Sequence, residues 1–217
     1  MAYTTIAQVR LITGLSTSEI SDKDITSLIS LASAEISSKV CVRVIRERIE
    51  YLDQTRENNV DELNKTYYVS NWKGHYLGDY DLDGDVSISD VIVNVVDGDG
   101  IETTATISTI SASQGKFILS TAYDSNYELY VTYSWTSFDL VTPDPLIGLA
   151  ASYLVSSYTF LQIDTGLDAM VQFGNVKINE NASQSYNIFY KRYLEILTQL
   201  NRLSASKGQW KESYVKI

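Results

Sequence analysis

The chain has 217 residues, enough to bury a sizeable apolar core as one large domain or two small ones. With 44% hydrophobic and 20% charged residues it has the composition of an ordinary folded protein, which excludes a disordered chain. A net charge of −10 opposes a wrapped nucleic-acid binder, which needs a basic surface to displace counterions from phosphates.

The N-terminus lacks a basic segment followed by an apolar stretch and a small-residue cleavage site, and no apolar run is expected to reach the roughly 18 residues of a membrane span. A protein kept inside a cell, or in something assembled there, is expected. Thr4 or Thr5 can cap a short helix through Ile6, Val9, Leu11 and Ile12, with Gly14 to stop it. Ser21, three residues before Asp24, starts a longer helix. Its apolar residues Ile25, Leu28, Ile29, Ala32, Ile36 and Val40 recur at the spacing of one buried face. Ser27, Ser30, Ser33, Ser37 and Ser38 make the other face, small enough for solvent or for close packing against a neighbouring subunit. Cys41 is expected on the apolar side of this helix as a small buried hydrophobe, and a single cysteine excludes an intrachain disulfide.

From Val42 the period changes to that of strands, expected at Val42 to Tyr51, Thr66 to Val69, Val91 to Val96, Thr103 to Ile110, Lys116 to Leu119 and Tyr127 to Trp135. In the last of these Tyr127, Leu129, Val131 and Tyr133 share one face. Asp97 to Gly100 and Gln114-Gly115 are turn signals. Pro143 ends the β region, and Asp144-Pro145 places a capping side chain before a proline at the first helical position. Helical spacing follows through Leu146, Leu149, Ala150, Tyr153, Leu154 and Tyr158. Gly166 and Gly174 bracket a looser segment, Val176 and Ile178 suggest a short strand, and a last helix is expected from near Ser183 with Tyr186, Phe189, Tyr190, Tyr193, Leu197 and Leu200 on one face.

Helices, strands and helices in that order imply an α+β fold, a bundle-like helical domain interrupted by a small antiparallel β domain. The expected division is 1–46 with 138–206 as the helical domain, 47–137 as the β-rich insert and 207–217 as a C-terminal tail.

Asp79 to Asp90 carries the most specific local pattern. Read as a twelve-residue calcium loop, it has carboxylates at positions 1, 3, 5 and 12, namely Asp79, Asp81, Asp83 and Asp90, and Gly84 at position 6 for the sharp turn. Asp85 offers its backbone carbonyl, and Ser87 can bind through water. Calcium is expected as a structural ion that fixes the loop and offsets repulsion among the aspartates. The loop resembles that of dockerin modules, which tolerate Asp at position 12, but β-branched Val91-Ile-Val-Asn-Val-Val follows where an exiting helix would stand.

Enzyme signatures are missing. His75 is the lone histidine, without a Gly-x-Ser-x-Gly elbow, and one His with one Cys cannot make a zinc site. Gly98 and Gly100 are followed by no Lys-Ser/Thr. A non-enzymatic protein is expected. Sixteen Tyr against five Phe suit protein interfaces, and equally a sugar-binding platform on a β module.

The segments Thr5-Ile-Ala-Gln-Val-Arg-Leu-Ile-Thr-Gly-Leu, Asp22-Lys-Asp-Ile, Leu28-Ile-Ser-Leu-Ala-Ser-Ala-Glu-Ile, Asp144-Pro-Leu-Ile-Gly-Leu-Ala-Ala-Ser-Tyr-Leu and Gln172-Phe-Gly-Asn-Val-Lys-Ile resemble the head–tail connector (adaptor, head-completion) proteins of tailed phages. The resemblance covers about half of the chain in two pieces. It implies a virion neck component, assembled in the host cytoplasm as a homo-oligomeric ring, commonly of twelve subunits. That ring would bind the portal protein and the next neck or tail-completion protein, away from any membrane, and let DNA pass without specific recognition. It also implies a docking tail, for which Trp210, Tyr214, Val215 and Ile217 are the candidates. The alternative is a calcium-stabilised module that binds carbohydrate or protein.

Overall fold

A computed structural model describes residues 2–50, 58–72, 75–168 and 176–206. The fold is α+β, with described helices α1 (Ile6–Thr13), α2 (Asp22–Val40), α3 (Pro145–Asp168) and α4 (Val176–Ser206). Strands β1 (Val42–Arg48), β2 (Thr66–Tyr68), β3 (Tyr76–Gly78), β4 (Val91–Val96), β5 (Glu102–Ala105), β6 (Ile107–Ser111), β7 (Lys116–Leu119) and β8 (Glu128–Thr136) lie between α2 and α3. The described residues form two compact units, one from residues 2–36 with 143–206, the other from residues 37–142. The boundary expected at 46/47 falls inside β1, which is a sheet strand; the units part at 36/37 and 142/143.

In the helical unit, Thr5 caps α1 in a reciprocal box with Gln8, and Gly14 ends it at φ 71°, a conformation that glycine adopts without strain. The hydroxyl of Ser21 meets the Asp24 carboxylate at 2.6 Å and accepts from its amide at 3.2 Å, which starts α2. Ile25, Ile29, Ala32 and Ile36 of α2 are buried, as are Ile147, Ala150, Ala151, Leu154 and Val155 of α3 and Tyr193, Ile196 and Leu200 of α4. Polar contacts tie the two ends of the chain together within this unit. Thr4 Oγ1 and Ser152 Oγ lie 2.7 Å apart, and Glu35 of α2 accepts hydrogen bonds from Tyr158 of α3 and Tyr193 of α4. Ring stacks of Phe189 on Tyr153 and Phe160 add to the α3–α4 contact.

The serine face of α2 is split: Ser33 is fully buried, its Oγ accepting from the Tyr3 amide, while Ser27 and Ser30 are exposed. Gly166 lies inside α3, and Val176 and Ile178 begin α4 instead of forming a strand, so the last helix starts well before Ser183. Pro145–Ile163 is, against expectation, long and apolar enough by length and composition to cross a membrane. About half of that stretch is buried, which suits the central helix of a packed unit equally well.

All strand pairs in the β unit are antiparallel. One sheet has the order β1-β8-β4-β5 with β3 also on β8; the other has β2-β7-β6. Inner faces of both contribute to one apolar centre, including Tyr67, Phe117 and Leu119 from one sheet and Leu77, Val91, Val93, Val95, Leu129, Val131 and Tyr133 from the other. The strand expected over Thr103 to Ile110 is two strands: the chain passes from one sheet to the other at Thr106, whose carbonyl accepts from the Ser120 amide at 2.9 Å.

Candidate metal centre

The loop from Asp79 to Asp90 leaves and re-enters the same edge of β8. Gly78 pairs with Ser134 and Val91 with Tyr133, so β3 and β4 lie end to end along that edge and the loop is an excursion between them. Its two terminal aspartates are therefore held at the sheet, and both are buried (0% exposed for Asp79, 1% for Asp90).

Asp79 stands against Cys41 and Ser37, which fall at the end of α2 and just after it. Burial raises its carboxyl pKa, opposed by hydrogen bonds from Ser37 and from the backbone of Gly84 and Leu82. The Gly84 amide reaches Oδ2 at 2.9 Å and the Asp83 amide reaches Oδ1 at 3.2 Å. Asp81 accepts from the Asp83 amide at 3.2 Å, and Asp83 from the Asp85 amide at 2.8 Å. This succession of side-chain-to-backbone turns winds the loop tightly, with Leu82 at φ 63° and Gly84 at φ 86°. Gly84 meets that geometry freely, as position 6 of the pattern requires; Leu82 meets it at a cost on the order of 1 kcal/mol.

The result is that Asp79, Asp81 and Asp83 each offer a carboxylate oxygen within 4.8 Å of the others. Among the described residues none of the three forms an ion pair. Three hard oxygen donors converging in one short loop form an arrangement that can hold a metal ion.

The remaining side chains of the pattern bind within the loop itself. The Asp85 carboxylate accepts from the Val86 amide at 2.8 Å. Ser87 and Asp90 cap a short 3-10 turn over Ile88–Asp90 reciprocally, the Ser87 hydroxyl accepting from the Ser89 amide and the Asp90 Oδ2 from the Ser87 amide at 2.7 Å. Asp90 Oδ1 also accepts from the amides of Tyr80 and Asp81. Asp90 thus closes the loop by binding its backbone, and its carboxyl is pushed up to about 6, with burial as the main cause. The carboxylates of Asp85 and Asp90 are not part of the three-carboxylate group.

Cys41 follows the last residue of α2 instead of lying within the helix, and burial pushes its thiol up to about 12. A methyl group on Gly78 would stand 2.7 Å from its Sγ, so the glycine of β3 is what lets the strand pass over it. His75 packs edge-on against Trp135, with ring centroids 4.6 Å apart. The tail candidates Trp210, Tyr214, Val215 and Ile217 lie outside the described residues.

The outer face of the larger sheet carries a second polar array, which the sequence did not single out. Arg46 lies over the Tyr130 ring at 4.4 Å and binds Glu102 at 2.7 Å; Glu102 accepts from Asn94 at 2.6 Å, and Glu128 from Arg48 and Tyr130. Arg46 sits at a register shift in β1 with φ 58°. A bulge is invisible in composition, because it exists only relative to the partner strand.

No protein-family model matches the chain, and no curated protein or solved structure is significantly similar to it.

Proposed function

We propose that the protein is a structural, non-enzymatic component of a tailed-phage head–tail connector, a ring beneath the portal whose β unit is stiffened by calcium. One observation carries this reading: residues from both ends of the chain make one helical unit, through Thr4 to Ser152 and through Glu35 to Tyr158 and Tyr193, with the β unit inserted between α2 and α3. The helical unit is the part that the connector resemblance covers, whereas the β insert departs from the compact family pattern. In this reading the subunits form a homo-oligomer on the portal protein, meet the next neck or tail-completion protein below, and line a channel whose negative charge lets DNA pass without adhering.

Calcium fits the loop because Asp79, Asp81 and Asp83 supply hard oxygens, leaving backbone carbonyl and water oxygens to complete a shell of six to eight. Its role is rigidity at the split between β3 and β4. The alternative is a calcium-stabilised module that binds carbohydrate or protein through the β unit; on the outer sheet face Arg46 covers the Tyr130 ring, so that ring is not open for a sugar to stack on.

The test is co-expression with a portal protein from the same genome, followed by electron microscopy. A ring added beneath the portal is expected. A chain that stays monomeric and never associates with a portal, or one that binds glycans in a chelator-sensitive way, overturns the reading. Calcium is tested separately by thermal melts: wild type should melt higher with calcium than with chelator, and Asp83→Ala should not respond.

A further inference from the structure

We draw no further inference here: the strongest candidate, the shallow apolar groove between α1 and the first turns of α3 that is lined by Leu11, Ile12, Pro145 and Leu149, carries nothing because nothing in the structure shows what covers it.

Discussion

Gly78 and Val91 stand opposite consecutive residues of β8, Ser134 and Tyr133, although the whole Asp79–Asp90 loop separates them in sequence. The alternation of faces also continues across the gap. Leu77 and Val91 are buried on the inner face with Val93, while Ile92 points outward at 38% exposed. Leu77-Gly78-Val91-Ile92-Val93 therefore behaves as one strand that has been opened to admit the loop.

Excising Asp79–Asp90 and joining Gly78 directly to Val91 is expected to leave a protein that folds, since the register needs no adjustment. The shortened protein should show a cooperative melt and a wild-type far-ultraviolet dichroism spectrum, and calcium should no longer move its midpoint. Loss of cooperative unfolding would show that the loop is required to build the sheet.

Gly78→Ala should destabilise the β unit by about 1–3 kcal/mol, the usual cost of overpacking. The new methyl would meet Cys41 Sγ at 2.7 Å and Ser134 Oγ at 2.9 Å. Adding Cys41→Ala removes the first clash and should recover part of the loss, so urea denaturation of the two single variants and the double variant should be non-additive.

The buried loop carboxyls set a pH dependence. Asp90 is raised from 3.8 to about 6, and Asp79 is raised as well. A carboxyl raised on folding favours the protonated folded state, so its contribution is complete below the unfolded value and is lost as pH rises through about 6. In chelator, wild-type stability relative to Asp90→Asn should therefore fall between pH 4 and 7. A flat difference across that window would show that Asp90 titrates normally.

Glu35→Ala should cost the helical unit about 2–4 kcal/mol, because it strands two partly buried phenols that donate to one carboxylate. Tyr158→Phe and Tyr193→Phe each remove one donor and should cost less. Both phenols are raised by burial first and by Glu35 next, so their ultraviolet titration should begin above the ordinary tyrosine range and move down in Glu35→Gln.

Arg46 holds a left-handed backbone at φ 58°. Arg46→Gly and Arg46→Ala both lose the Glu102 pair and the Tyr130 contact, but only glycine relieves the backbone. The glycine variant should be the more stable of the two by about 1 kcal/mol, the reverse of the usual strand preference. Chemical denaturation of the pair checks this.

Elements fixed by local chemistry were legible in the sequence. The caps at Thr5, Ser21 and Asp144, the β-branched run of β4 and the alternation in β8 report on their own neighbourhoods. Elements fixed by partners were not. Tyr76-Leu77-Gly78 has no alternation long enough to read, and it is a strand only because Ser134 to Thr136 pair with it. Val176 and Ile178, β-branched around Lys177, suggest a strand by propensity but begin a helix. At the loop, aspartate spacing identified the three carboxylates that converge. It could not reveal that Asp90 turns to the amides of Tyr80, Asp81 and Ser87, since that choice depends on where the folded backbone places its donors.

The split make-up of the helical unit imposes an order on biosynthesis. Ile25, Ile29 and Ile36 emerge from the ribosome long before Leu154, Tyr193 and Leu200, which share their unit, whereas the described residues of the β unit all fall within the single stretch Ser37–Thr142. The β unit can thus be complete while the first helices still wait, and its compaction shortens the span that the helical ends must close. A truncation ending near Thr142 should leave a folded β unit joined to an N-terminal segment that is readily cut by protease.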